Sequence, residues 1–187
     1  MEELVKRKIK EIHRGNKNAF GDIVEFYKDK VFQICFRMVG NRSEAEDIAQ
    51  ETFIRAYINI GNYNMDKKFS TWLYRIATNL CIDRLRKKKA DYSLDAEVTG
   101  TEGLTLYSQI PSADPLPEDA VAFMELQDFL QRELLALPEK YRTAIILKYM
   151  EELSLNEISE ILDLPVGTVK THIHRGREAL RKRLRHL

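Results

Sequence analysis

SLNEISEILDLPVGTVKTHIHRGREALRKRL, from Ser154 to Leu184, reads as two helices joined by a short turn. Ser154 and Glu157 have the S-x-x-E spacing of a capping box, so a helix opens here and runs through LNEISEILDL. Asp163 to Gly167 interrupts the pattern, and Thr168 is placed to cap the helix that follows. Ile158, Leu162, Leu164 and Val169 fall where two helices meeting at such a turn touch each other. Beyond the turn, Lys170, Thr171, His172, His174 and Arg175 project outward from a cationic segment. Cap, turn spacing and cationic second helix together predict a helix-turn-helix, whose second helix has the polar reach that reading a DNA major groove requires. A helical hairpin with a solvated charged face is the plainer alternative.

Upstream of this pair, Val121, Met124, Phe129, Leu130, Leu134 and Leu137 give one apolar helix face, opened by Pro117, Glu118 and Asp119 in a first turn. Pro138 separates it from a further helix that runs through Tyr149. Between Ala90 and Pro117 periodicity is lost among polar residues, Gly100, Gly103, Pro111 and Pro115, which predicts an extended linker. Nearer the N-terminus, Asn18 to Met38 has apolar residues at helical spacing and ends near Gly40. Ser43 and Glu46 form a second capping box, before a helix that buries Ala45, Ile48, Ala49, Phe53, Ala56, Tyr57 and Ile60. In FSTWLYRIATNLCIDRLRKKK, Phe69, Trp72, Leu73, Ile76, Ala77 and Leu80 make one apolar stripe. Ser70 is expected as its N-cap, with Phe69 stapled to Tyr74, and Trp72 as core. Tyr74, Arg75, Thr78 and Asn79 lie toward the other faces and are candidates for contact. The expectation is an all-α chain of two small helical domains, residues 1–89 and 118–187, joined by a linker over 90–117.

The formal net charge of +1 conceals a segregation along the 187 residues. Asp91 to Asp128 holds nine acids and no Lys or Arg, whereas Val166 to Leu187 holds seven cations against Glu178 alone. A second cationic cluster, Arg84, Arg86, Lys87, Lys88 and Lys89, is opposed only by Asp83. Two positive regions flanking an acidic one suit two stretches of nucleic acid, or one DNA and a large partner. A composition of 44% hydrophobic residues with 8 Gly and 5 Pro suits compact helical structure. With no run of roughly 20 apolar residues and no secretory core in MEELVKRKIKEIHRG, a soluble cytosolic protein is expected. Cys35 and Cys81 sit in apolar helical patterns without ligand-like neighbours, and are expected as buried free thiols. No nucleophile, base and oxyanion set and no phosphate-cradling loop is recognisable, so neither an enzyme nor a bound metal or other cofactor is expected.

AEDIAQETFIRAY (45–57), FSTWLYRIATNLCIDRLRKKK (69–89) and LPVGTVKTHIHRGREAL (164–180), in that order, resemble the conserved segments of group 4, or extracytoplasmic-function, bacterial sigma factors. RKKKADYSLDAEVTGTEGLTLYSQI (86–110) is most similar to the sigma-W type of Bacillus-like bacteria. The resemblance implies a factor that directs core RNA polymerase to stress-type promoters by their −10 and −35 elements and helps melt the DNA. It implies that Asp47, Gln50 and Glu51 grip the clamp coiled coil of the polymerase β′ subunit, with the β flap as a further contact. On sequence alone the stripe Glu44, Asp47 and Glu51 is equally a solvated helix face; a carboxylate metal site there would need a Glu-x-x-His pattern that the helix lacks.

By the same resemblance the loop GNYNMDKK (61–68) captures an unpaired −10 base, read by Tyr63, Asn64 and Asn79, with Lys67, Lys68, Arg84, Arg86 and Lys87 on the backbone. A surface turn and a polar helix residue remain the alternative for Tyr63 and Asn79. Lys170, Thr171, His172, His174 and Arg175 correspond to residues that read the −35 element, with Thr168 and Arg142 on phosphates. Many relatives carry Arg at position 172, so a largely neutral His of pKa about 6.5 implies a weaker backbone clamp or another base preference. The acidic linker suits threading into the positively charged interior of the polymerase, though solubility explains it too. Promoter DNA, core polymerase and a membrane-tethered anti-sigma factor, able to hold a cytoplasmic protein at the inner membrane face, are the implied partners; no small-molecule substrate is. A stand-alone helix-turn-helix regulator and a protein-binding adaptor are the alternatives from other classes.

Overall fold

A computed structural model describes residues 2–94 and 118–185, all the regular structure in them being helical. Eight α-helices follow in order: α1 (Glu2–His13), α2 (Ala19–Val39), α3 (Arg42–Ile58), α4 (Phe69–Leu94), α5 (Glu118–Leu135), α6 (Glu139–Ile145), α7 (Leu155–Leu162) and α8 (Val166–Leu184). A 3-10 turn, Ile60–Asn62, lies between α3 and α4, and a π-helical turn, Ile146–Met150, extends α6. The proposed linker falls partly in α4, which continues through Leu94; residues 95–117 lie outside the described residues, and with them Pro117.

The first four helices close around Ile9, Ile23, Ile34, Met38, Phe69 and Leu73, all essentially inaccessible to solvent. Cys35 and Cys81 are both buried free thiols; a hydrogen bond between them and burial push the Cys81 pKa up. Trp72 is half-buried rather than core, while Tyr74 and Thr78, expected toward the outside, are buried. Tyr57 is 37% exposed, because its ring lies along the edge of Phe20 at the bundle's rim.

Two expected caps are replaced. Helix α3 starts at Arg42, two residues earlier than a Ser43 cap allows, because Asn41, extended at φ −120, accepts a 2.9 Å hydrogen bond from the Glu44 N–H. Asn caps as well as Ser, and Glu46 is left to pair with Arg42 at 3.0 Å. Helix α4 starts at Phe69, so Ser70 is inside it; the Glu2 carboxylate of α1 accepts from Phe69 N–H at 3.1 Å and from Ser70 Oγ at 3.2 Å. The cap is therefore tertiary, and a carboxylate suits the positive end of a helix. Phe69 packs its ring on Tyr27, Tyr63 and Trp72, and Tyr74 joins that cluster through Tyr27.

In the C-terminal half the Ser154–Glu157 capping box forms with both reciprocal bonds, and Asp163, left-handed at φ 54, ends α7. Ile158 and Val169 are buried between the helices, with Leu162 and Leu164 packed beside them. Helix α8 begins at Val166 after Pro165, so Thr168 lies within its first turn and is not the cap; proline's fixed φ suits the position before a helix. Gly176 lets α8 cross α6 closely, since a Cβ there would lie 2.7 Å from Ile145 Cγ1. Leu134 and Leu137 of the α5 region are buried as expected, but Leu130 is 40% exposed.

The halves pack on each other around the C-terminus of α2. Gly40 ends that helix at φ 75, and a Cβ there would sit 2.5 Å from Leu135 Cδ1, so glycine serves both the turn and the approach of α5. Carbonyls at the end of α2 receive donors from the other half: Gln131 Nε2 to Phe36 O at 3.3 Å, beside the Gly40 N–H that this oxygen already accepts, and Arg142 Nη1 to Met38 O, which lies in the last turn where helix partners run out. Arg142 Nη2 also donates to Leu135 O and Leu137 O at 2.9 and 3.1 Å. One guanidinium thus closes the ends of two helices, where the dipoles favour a cation.

Candidate nucleic-acid and partner interfaces

On α3 the buried residues Ala45, Ile48, Ala49, Thr52, Phe53 and Ala56 leave Asp47 and Gln50 exposed and Glu51 half-exposed on the outer face. Glu51 is braced by Arg55 at 2.7 Å. The same side carries Ile54, 54% exposed, and Ile58, 71% exposed, so an acidic stripe runs on into an apolar one. Those isoleucines were readable in the sequence, since they sit off the buried helical period; charge alone drew attention to the other end of the stripe. Glu44, by contrast, turns to Lys88 of α4 at 2.8 Å.

The turn before α4 is organised from inside. Tyr63 is 5% exposed, packs on Phe69 and Trp72, and donates its hydroxyl to Lys67 O. Burial pushes its phenol pKa up to about 12. The ring expected to read a base is thus packed beneath the turn in this conformation. Asn64 Oδ1 accepts from Asp66 N–H at 2.9 Å and keeps its side-chain NH₂ in solvent. Lys67 and Lys68 are exposed beside it, and Asn79, Arg84, Arg86 and Lys87 are exposed along α4. Asn79 and Arg86 share a face with Arg75, whereas Arg84 lies about 140° round the helix from Asn79 and is not brought to the same surface. Arg75, four residues before Asn79, belongs with this set and carries the same period as its signal.

Lys68 meets Glu157 of α7 at 2.7 Å, Lys67 meets Glu160 at 3.1 Å, and Arg75 meets Asp163 at 3.7 Å. Burial opposes the Glu157 charge, but hydrogen bonds from Lys68 and Ser154 and the lysine's charge overcome it and hold the carboxyl down at about 2. A depressed carboxyl pKa stabilises the fold above its unfolded value, about 4.3, and the contribution fades as pH falls toward 2. Glu157→Gln is therefore expected to lower the urea midpoint at pH 6 and to leave a smaller gap from the parent protein at pH 2.5.

Along α8, Lys170, Thr171 and His174 are exposed, and Thr171 Oγ donates back to Gly167 O at 3.0 Å. Arg177 and Arg181 continue the line Lys170–His174 at helical spacing and extend the cationic face beyond the expected set. His172 and Arg175 lean to α6 instead: Tyr141 meets the His172 ring edge-on at 5.6 Å and accepts from Arg175 Nη1 at 3.2 Å. Burial, and then the charges of Lys140 and Arg175, lower the His172 pKa and favour the neutral ring. Thr168 is half-buried. Arg142 is not on this surface at all. Its two Nη groups donate to the carbonyls of Met38, Leu135 and Leu137 rather than facing this surface.

No helix of the described residues is long and apolar enough to cross a membrane. Residues 23–90 match the family Sigma-70 region 2, and residues 130–180 match Sigma-70, region 4. The chain is 65% identical over 187 residues, all of both chains, to the ECF RNA polymerase sigma factor SigW of Bacillus subtilis. Among solved structures it is similar to the sigma factor RpoE of Bartonella quintana in complex with the anti-sigma factor NepR, at TM-score 0.70, 21% identity and coverage of 90% of this chain and 98% of that one. It is also similar to CnrH in complex with the cytosolic domain of CnrY, at TM-score 0.68, 22% identity and 96% coverage of both. Those two likenesses establish the fold, and the curated relative and the two region matches establish the descent. The chain belongs to the extracytoplasmic-function family of RNA polymerase sigma factors.

Proposed function

We propose that this sigma factor joins core polymerase through α3 and lays one DNA-contacting surface on each promoter element. The observation that carries the reading is the separation of three exposed surfaces of different chemistry: the acidic-to-apolar stripe of α3, the polar turn with the face of α4, and the cationic face of α8. Asp47, Gln50 and Glu51 meet the β′ clamp coiled coil, and Ile54 and Ile58 give that contact its dry part. Asn64 and Asn79 offer amide edges to unpaired −10 bases, while Tyr63 supports the turn from beneath. Lys67, Lys68, Arg86 and Lys87 hold the backbone. Lys170, Thr171, His174 and Arg175 enter the −35 major groove, and His172 stays a neutral spacer against Tyr141. The C-terminal half meets the β flap.

The role is noncatalytic: the factor positions the polymerase and traps the opened strand. RpoE of Bartonella quintana, which shares the fold, is in complex with the anti-sigma factor NepR, and a partner of that class regulates this chain, tethered at the membrane face. Run-off transcription with purified core polymerase on supercoiled genomic fragments tests the reading. New start sites that depend on the protein, preceded by a shared pair of elements, are expected. Footprints made by the protein alone, with no new start sites, would sink it and favour a stand-alone regulator.

A further inference from the structure

Arg175 is exposed on α8, yet a side chain of another helix holds it. Gly176 lets α6 and α8 cross so closely that a Cβ there would lie 3.3 Å from Tyr141 O, which roots the Tyr141 side chain, in the first turn of α6, beside Arg175. The ring is then fixed from two directions: Lys140 Nζ lies over it, 5.2 Å from the centroid, and the His172 imidazole meets it edge-on at 5.6 Å. Its hydroxyl, the remaining end, accepts from Arg175 Nη1 at 3.2 Å. That bond lowers the Tyr141 pKa and raises that of Arg175. Among the described residues Arg175 pairs with no carboxylate, whereas Arg181 meets Glu178 at 3.7 Å and Arg183 meets Glu133. Tyr141 engages Nη1 alone, which leaves Nε and Nη2 to act as a fork.

We propose that Tyr141 is a positioning residue for −35 recognition, its hydroxyl holding the Arg175 guanidinium so that the fork reads the edge of a guanine instead of pairing with a phosphate. The role rests on the sigma-factor reading of α8. An arginine free on a helix surface samples many rotamers and settles on the nearest phosphate, which adds affinity without sequence information. Anchored by one nitrogen, it keeps the planar pair of donors that matches guanine O6 and N7, the arrangement that tells this base from the others. Tyr141 touches no base in this scheme and acts through Arg175.

The test uses holoenzyme assembled from core polymerase and the full chain, assayed by run-off at limiting enzyme. Templates are the promoter that gives the strongest start site and versions of it in which each base pair of the upstream element is replaced in turn. The parent is expected to lose initiation when one G·C pair is replaced, and Arg175→Lys, which keeps the charge and loses the fork, to level the preference at that position. Tyr141→Phe keeps the ring against His172 and removes only the hydroxyl. It is expected to reduce the preference at the same position about fivefold, the size set by immobilising one rotamer-rich side chain, with the other positions and the melting temperature unchanged. Added to Arg175→Lys, it is expected to change nothing further. A purely structural role would lower initiation equally on every template. An equal fall on every template, no fall at all, a change at a position that Arg175→Lys leaves alone, or additive losses in the double variant would overturn the positioning role while leaving the sigma-factor reading standing. No start sites with the parent would reject that reading and the positioning role with it.

Discussion

Asp47→Lys combined with Glu51→Lys is expected to lower promoter-specific run-off transcription at least 100-fold while leaving the fold intact. Both side chains lie on the outer face of α3, and neither contributes to the buried core. Within the chain the double substitution breaks the Glu51–Arg55 pair at 2.7 Å, an exposed i,i+4 bridge worth about 0.3–0.5 kcal/mol. At a partner interface the same change is far more costly. Reversing two charges that meet complementary groups replaces attraction by repulsion, and close charge pairs at interfaces couple by about 1.5–7 kcal/mol. A loss of about 3 kcal/mol already corresponds to more than 100-fold in affinity. Thermal melting and run-off assays on the same preparations separate the two effects: unchanged melting with lost transcription identifies the face, and equal transcription by variant and parent excludes it. Ile58→Asp, at the apolar end of the stripe, is expected to weaken core binding without altering the fold.

Arg142→Ala is expected to reduce stability by about 3 kcal/mol, read as a lowered urea midpoint. Three backbone carbonyls, of Met38, Leu135 and Leu137, lose their charged donor, and hydrogen bonds to charged groups contribute about 1.5–3 kcal/mol each. The carbonyls regain some water, which keeps the total below the sum. Arg142→Lys is expected to restore only part of the loss, because a single ammonium cannot reach two helix ends with the geometry of a planar fork. A residue that only clamped phosphate would behave in the opposite way, losing DNA affinity with stability unchanged. Since the bonds join the two halves, the variant is also expected to unfold less cooperatively, with separate transitions by tryptophan fluorescence of Trp72 and by circular dichroism.

Local chemistry was legible where one element sufficed. The Ser154–Glu157 box, the end of α2 at Gly40, the break at Pro138 and the buried faces of α2 and α3 all follow from period and cap, because the interactions that enforce them lie within one or two turns. The exposed positions of Asp47, Lys170 and His174 follow for the same reason, as the remainder once the apolar face is assigned. Tyr63 shows where this stops. An aromatic in a polar turn suits base stacking and suits a buried brace equally well, and only the neighbouring rings of Phe69 and Trp72 decide for the brace.

The all-α class, the helix-turn-helix and the order of the functional segments are written in the chain itself, since backbone period and near-neighbour capping carry that information. Packing between helices was needed to show that Glu2 caps α4 from another helix, that Arg142 faces inward to two helix ends, and that α7's carboxylates rest on Lys67, Lys68 and Arg75. Each of these joins residues more than sixty positions apart, apart from the bonds Arg142 makes to the end of α5. A charged side chain has the same propensity whether it meets water, phosphate or an orphan carbonyl, so its partner is set by which surfaces the packed helices bring within reach.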